Sequence, residues 1–151
     1  REIILRRLAL RAHSRSELHR ALGAKAIPED IQDELLDRFT ELDLVDDRDF
    51  AQQWVASRHR TRGASRRALT EELRTKGVEA EVVAEAVATI SPDDEVEAAM
   101  TLATKKLRSM AGVNDPLVRK RRLAAALARR GFGHEVVSRV VSSLCDEELE
   151  D

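Results

Sequence analysis

The sequence predicts an all-α fold, a tandem array of three three-helix repeats that is elongated or curved. One pattern occurs three times with the same spacing, starting at Leu18, Leu69 and Leu123. It consists of two leucines four residues apart, a basic residue, a small residue and two spaced apolar residues. The starts lie 51 and 54 residues apart, a period typical of units that bury an apolar face against a neighbour. A composition with only three prolines and six glycines favours helices throughout.

The first repeat, residues 1–45, is predicted to contain three helices. An apolar stripe in the first eleven residues predicts the first of them. Ser14 and Glu17 form a capping box, which predicts that a second helix starts here and runs to about Ala24. Pro28 suits the first turn of a third helix, because its missing N–H would be unpaired there in any case. We expect this third helix to bury one face, made of Ile31, Leu35 and Phe39.

The second repeat, residues 46–90, begins with three aspartates, which favour a helix start electrostatically. The stripe that we expect this helix to bury consists of Phe50, Ala51, Trp54 and Val55. Ser65 is predicted to cap a helix over 66–76, and Gly77 to end it in the left-handed conformation. A last helix is expected over 79–90.

The third repeat, residues 91–145, opens with Ser91 and Pro92, a cap followed by a proline in the first turn. A break is expected at 112–116. The predicted helices are 92–110, 117–130 and 134–144. The acidic tail, residues 146–151, is predicted to be disordered.

Charge is distributed in blocks, although the net charge is only −2. Residues 78–98 carry seven acids and no base, whereas residues 99–130 carry nine bases and one acid. Blocks of one sign predict steering toward a charged partner or between repeats. The alternative is that they are ordinary solvated helix faces.

The bulk sequence excludes several classes of protein. A single cysteine, Cys145, rules out an internal disulfide and fits a reducing compartment, so we expect a cytoplasmic protein. No apolar run approaches the ~20 residues of a membrane span, and no signal-peptide pattern is present. Because the chain begins at Arg1 without a methionine, we expect it to be a piece of a longer protein.

Catalysis is not predicted, because a nucleophile needs a base within hydrogen-bond reach and none is evident beside Cys145. The histidines, among them His13, His19 and His134, lack the spacing of a helical zinc site. We expect surface or capping roles for them. The sequence therefore predicts no enzyme activity, no metal, no cofactor and no small-molecule substrate.

A family resemblance rests on the stretch from Leu44 to Arg58. An apolar pair, two aspartates, a further acid, Phe-Ala, an aromatic–apolar pair and Ser-Arg follow one another there. This order resembles a signature of the RecX family, which comprises bacterial regulators of the RecA recombinase. Two further segments, Arg62–Val78 and Leu8–Leu18, are similar to the family as well, and together the similarity covers essentially the whole chain.

The resemblance implies tandem three-helix units and a regulator that is not an enzyme. It implies that the protein binds along the groove of the RecA–DNA filament, inhibits the ATPase and strand exchange of RecA, and favours filament disassembly. The RecA filament is thus the expected partner.

Two basic helical segments are the candidate binding surface, which we call the basic face. Such a surface suits phosphates or an acidic protein groove. The basic face consists of Arg58, Arg60, Arg62, Arg66, Arg67, Arg74, Lys76, Arg119, Lys120, Arg121, Arg122, Arg129 and Arg130. Five arginines of the first repeat are candidates for the same face, namely Arg6, Arg7, Arg11, Arg15 and Arg20.

Contact with DNA is expected to be weak, salt-sensitive and independent of sequence. Sequence-tolerant single-strand binding usually uses exposed aromatic platforms. The aromatic residues here all fall at core-like positions: Phe39, Phe50, Trp54 and Phe132. Two alternatives remain open. One is a DNA-binding protein of helix-turn-helix-like units that acts without RecA, and the other is a bare helical scaffold.

Overall fold

The structure is a computed structural model that describes the backbone of residues 1–150 and the side chains of residues 1–145. Within that part the chain forms nine helices and no strand, which confirms the all-α prediction. The helices are α1 (Glu2–Leu10), α2 (Arg15–Ala24), α3 (Glu29–Glu41), α4 (Asp47–Arg62), α5 (Arg66–Thr75), α6 (Ala80–Val87), α7 (Pro92–Ser109), α8 (Pro116–Arg129) and α9 (His134–Glu150). None of the described helices is long and apolar enough to cross a membrane.

The chain divides into two compact units. The first unit comprises residues 1–56 and 70–87, and the second comprises residues 57–69 and those from Ala88 onward. Helices α4 and α5 therefore each contribute residues to both units. The residue boundaries of the three repeats, at 45/46 and 90/91, stay a prediction.

The leucines of the repeated pattern form the cores. In the first unit, Leu18 and Leu22 of α2 are fully buried in one cluster with Ile4, Leu36 and Phe39. In the second unit, the equivalent Leu123 and Leu127 of α8 are fully buried among residues of α7 and α9. Leu69 and Leu73 of α5 are fully buried as well. The pattern thus identified, in each middle helix, the side chains that the fold removes from water.

Helix starts agree closely with the sequence. Ser14 and Ser91 each begin a complete capping box. Asp46 accepts hydrogen bonds from the backbone N–H groups of Arg48 and Asp49 and so caps α4. The helix ends also follow the expected chemistry, because Gly77 and Gly131 are left-handed, with φ of 78° and 91°. Ala26 occupies the equivalent position with φ of 57°.

The buried face of α3 differs from the prediction. Ile31 is 44% exposed and Leu35 is only half-buried, whereas the neighbouring Gln32 and Leu36 are buried with Phe39. Pro28 is the N-cap of α3 and lies outside its first turn, contrary to our assignment. In the core, Gln32 Nε2 donates to the carbonyl of Ile27 at 2.6 Å. The burial of a polar side chain is the reason that periodicity misplaced this face.

Two predicted helix ends also shift. Helix α6 ends at Val87, three residues earlier than expected, although Ile90 is still buried. Helix α9 continues to Glu150, beyond the predicted end at Leu144. The acidic tail, residues 146–151, is predicted to be disordered. Residue 151 and the side chains of residues 146–150 lie outside the described part of the chain, so this stays a prediction.

Candidate functional site

The residues of the basic face differ in how accessible they are. Nine of the thirteen are exposed, and the half-buried ones are Arg58, Arg66, Lys76 and Arg119. Arg74 and Lys76 belong to the first unit, and the other eleven to the second. The exposed members on α8 are Lys120, Arg121, Arg122 and Arg129, with Arg130 at its C-cap.

Arg66 supports the fold and is not a free surface charge. Its guanidinium donates to the carbonyl of Ile90, and its backbone N–H donates to Glu95 Oε2 at 2.9 Å. Both contacts hold the start of α5 against the region where α7 begins. Replacement of Arg66 would therefore disturb the fold directly.

Lys76 is also engaged within the protein. Its Nζ lies 3.4 Å from Glu17 Oε2 and 5.2 Å from the centre of the Trp54 ring. Trp54 is half-buried and donates its indole N–H to Glu72 Oε2 at 3.1 Å. The ammonium group is therefore shared between a carboxylate and an aromatic face.

Glu17 is the centre of this network. Burial opposes its ionisation, but hydrogen bonds from Arg11 and from the backbone N–H of Ser14, with the charges of Arg11 and Lys76, lower its pKa to about 2. The carboxylate is consequently charged at neutral pH and compensates both cations.

The network belongs to a contact between α2 and the end of α5, which we call the first joint. The Ser14 hydroxyl donates to the carbonyl of Lys76 at 2.6 Å, and the backbone N–H of Arg15 donates to Asp47 Oδ1 at 2.7 Å. Gly77 follows Lys76 directly, and a Cβ there would overlap the side chain of Ser16. Burial raises the pKa of Asp47 even though the hydrogen bond from Arg15 opposes that change.

An equivalent contact, the second joint, connects the start of α5 to the end of α8. The Ser65 hydroxyl donates to the carbonyl of Arg130 at 2.9 Å, just as Ser14 donates to Lys76. The backbone N–H of Arg66, which binds Glu95, corresponds to that of Arg15 in the first joint. A Cβ at Gly131 would lie 2.7 Å from Ser65 Oγ. The same residue types thus build the same contact in both units.

Beside the second joint lies an open concavity of about 650 Å³, which we call the basic concavity. Four cations line it: Arg60 and Arg62 from α4, Lys105 from α7, and Arg130. Asp94 and Glu97 are the acids on its wall. A smaller concavity of about 300 Å³ is lined in part by Lys106, Arg122 and Arg129. Lys105 and Lys106 were absent from the predicted site, although the sequence places both in its most basic block.

The remaining candidate groups have structural surroundings. His13 is buried and its Nδ1 lies 2.9 Å from the carbonyl of Arg11, the C-cap of α1, so of the two roles expected for it the structure supports capping and not a surface position. Cys145 is half-buried against the core of the second unit. Three of the aromatic residues, Phe39, Phe50 and Phe132, are buried as expected. Among the described residues, no group of histidines, cysteines and acids could hold a metal ion.

These features define a protein of tandem three-helix domains whose distinctive surface is cationic. Models of the first, second and third three-helix domains of RecX match residues 1–39, 46–87 and 93–141, respectively. The chain belongs to the RecX family, as its resemblance at Leu44–Arg58 predicted.

Known relatives support this assignment along most of the chain. Regulatory protein RecX of Streptomyces coelicolor is 46% identical over 151 residues, which cover all of this chain and 80% of the relative. The protein of the same name from Mycolicibacterium smegmatis is 44% identical over 146 residues, covering 94% of this chain and 77% of the relative. The crystal structure of RecX from Lactobacillus salivarius shares the fold, with a TM-score of 0.85 at 22% identity over 93% of this chain and 91% of that one. The relatives' name supports a regulatory role for this chain.

Proposed function

We propose that this protein is a non-catalytic negative regulator of RecA in the cytoplasm. It binds in the groove of the RecA–DNA filament, inhibits ATP hydrolysis and strand exchange, and promotes filament disassembly. The observation that carries the proposal is the family membership of the whole chain, joined to a concentration of exposed cations in the second unit.

The electrostatics support contact with an anionic filament. Exposed cations attract phosphates through counterion release and long-range steering. On α8, Arg121, Arg122 and Arg129 are exposed, and the helix itself contains no acidic residue. Because the aromatic side chains are buried or half-buried, this contact reads backbone charge and not base identity. Specificity then comes from RecA itself.

The first experiment is to measure single-strand-dependent ATP hydrolysis by RecA while this protein is titrated in at two salt concentrations. We expect inhibition well below one copy per RecA subunit, and weaker inhibition at the higher salt concentration. Unchanged hydrolysis at a stoichiometric excess would contradict the proposed function.

A charge-reversal variant tests the basic face. Arg67, Arg121 and Arg122 are exposed, so we expect their joint replacement by glutamate to abolish most of the inhibition while helicity is kept. Arg66 is left intact because it supports the fold. The matched control reverses three exposed cations outside the basic face, Lys25, Arg38 and Arg139, and should inhibit like the natural sequence. Full inhibition by the folded test variant would rule out the basic face.

The alternative function, duplex DNA binding without RecA, predicts a different result. A reader of one operator would protect one duplex sequence and would distinguish it from others by a large affinity ratio. We expect no such footprint and little difference between sequences.

A further inference from the structure

The two joints carry a basic residue at the same position. The carbonyl of Lys76 accepts a hydrogen bond from the Ser14 hydroxyl, and the carbonyl of Arg130 accepts one from the Ser65 hydroxyl. In each joint a left-handed glycine follows the basic residue. The backbone contacts are therefore equivalent, and the two joints can be compared side chain by side chain.

They differ in the residue three positions after the serine. In the first joint this residue is Glu17, whose carboxylate lies 3.4 Å from the Lys76 ammonium group. In the second joint it is Ala68, whose backbone N–H donates to Ser65 Oγ at 3.1 Å, the same cap with a methyl group in place of the carboxylate. In the first joint the carboxylate of Glu17 therefore neutralises Lys76. In the second joint residue 68 is an alanine and cannot neutralise Arg130.

Arg130 is exposed and lines the basic concavity together with Arg60, Arg62 and Lys105. Four cations around one open concavity outnumber its two acids, Asp94 and Glu97. Like charges around one solvent-filled space repel one another, and a bound anion lowers that repulsion. The second joint therefore has the charge pattern of an anion site, and the first joint does not.

We propose that the basic concavity is a binding site for phosphate groups, and that Arg130 is available to it because residue 68 is an alanine, where a glutamate would pair with Arg130 as Glu17 pairs with Lys76. Three of its four cations are guanidinium groups, whose planar fork of donors matches the oxygens of a phosphate. Thr61 and Thr101 also line it, but their hydroxyls donate to the carbonyls of Ser57 and Glu97, so the cations supply the donors. The phosphates are those of single-stranded nucleic acid, an identity that rests on the proposed function.

The test exchanges one residue. Ala68→Glu would complete a Ser-x-x-Glu capping box at Ser65, as Glu17 does at Ser14, so it should not weaken the helix start. Ala68→Gln is the matched control, because it has nearly the same size and capping capacity without the charge. The measurement is the fluorescence anisotropy of a labelled single-stranded oligothymidylate, without RecA, over a range of salt concentrations.

We expect Ala68→Glu to bind the oligonucleotide about tenfold more weakly at low salt, with a salt slope smaller by about 0.7, the value of one lost phosphate contact on a single strand. Ala68→Gln should bind within about twofold of the natural sequence. Arg130→Gln keeps the carbonyl that Ser65 uses and should reproduce the weaker binding. Unchanged binding in both Ala68→Glu and Arg130→Gln, or an equal loss in Ala68→Gln, would overturn the proposal.

Competition identifies the ligand. Inorganic tripolyphosphate should displace the oligonucleotide from the natural sequence and should bind Ala68→Glu more weakly. If poly-glutamate displaces it more effectively, the concavity recognises an acidic protein segment and the assignment to phosphate is wrong. A failure of the proposed function would give a different result. The natural protein would then leave RecA unaffected, while Ala68→Glu would still bind the oligonucleotide more weakly than the natural sequence.

Discussion

The hydroxyl of Ser14 donates a 2.6 Å hydrogen bond to the carbonyl of Lys76, a residue 62 positions further along the chain. One side chain thereby serves two purposes, because Ser14 Oγ also accepts from the backbone N–H of Glu17 and caps α2. Ser65 does the same for α5 and the carbonyl of Arg130. The cap of a helix and the contact between two repeats are the same group of atoms.

Because the side chains of Ser14 and Ser65 each make two hydrogen bonds and that of Ser91 makes one, replacing these serines by alanine should lower the free energy of unfolding by different amounts. Ser91→Ala removes a cap alone, since Ser91 is exposed and accepts from Asp94, and should lower the free energy of unfolding by about 1 kcal/mol. Ser14→Ala and Ser65→Ala also lose a buried hydrogen bond, so each should cost about 1 kcal/mol more. Urea unfolding of the three variants measures the difference. Equal costs at all three positions would show that the joints contribute nothing.

The core position of Leu73 gives a second prediction. Leu73 is fully buried, so Leu73→Ala should lower the free energy of unfolding by about 2–5 kcal/mol through lost burial and a cavity. Leu10, in the same unit, is 83% exposed, and Leu10→Ala should change stability by less than about 0.5 kcal/mol. Thermal melting of both variants checks the pair, and a melting curve unchanged by Leu73→Ala would contradict the assigned face of α5.

The left-handed positions give a third prediction. Gly131→Ala combines an unfavourable φ, about 1 kcal/mol, with the overlap against Ser65, about 1–3 kcal/mol. Ala26 already has a positive φ without such a joint, so Ala26→Gly should raise stability slightly by relieving the φ cost alone. Chemical unfolding separates the two effects. A Gly131→Ala variant as stable as the natural sequence would mean that the second joint tolerates a methyl group.

The charge of Glu17 predicts a dependence on pH. Its pKa falls from an ordinary 4.5 to about 2 in the fold, so the folded state binds fewer protons than the unfolded chain in this range. The resulting stability is fully present above about pH 4.5 and is lost as the pH falls toward 2. After allowance for solvent screening it amounts to on the order of 1–2 kcal/mol.

Glu17→Gln isolates that contribution. The difference in unfolding free energy between the natural sequence and Glu17→Gln should be constant from pH 7 to pH 5 and should shrink below pH 4.5. The raised pKa of Asp47 acts in the opposite direction, but it is common to both proteins and cancels. A difference that is independent of pH down to 3 would show that Glu17 is not held as an ion.

Much of the fold could be predicted because leucine spacing and capping residues act locally. The pairs at Leu18 and Leu123 identified buried positions, and the capping boxes fixed where α2 and α7 begin. The face of α3 could not be placed by apolar periodicity, because its buried centre includes Gln32.

The candidate site was less accessible to sequence reasoning. Counting charges found the basic segments, but it could not separate Arg66, which holds the carbonyl of Ile90, from the exposed Arg67 beside it. The joints pair residues 62 and 65 positions apart, and such partners are set only when helices pack. The spacing of Ser14 and Ser65, each four residues before a repeat leucine, was the available signal.

Both joints include a main-chain carbonyl and a glycine. The carbonyl is the same group whichever side chain the basic residue carries. A change of side chain at Lys76 or Arg130 therefore alters the charge of the surface, while the carbonyl that accepts from the serine stays in place. The packing of the repeats and the ligand that each joint attracts can consequently change separately.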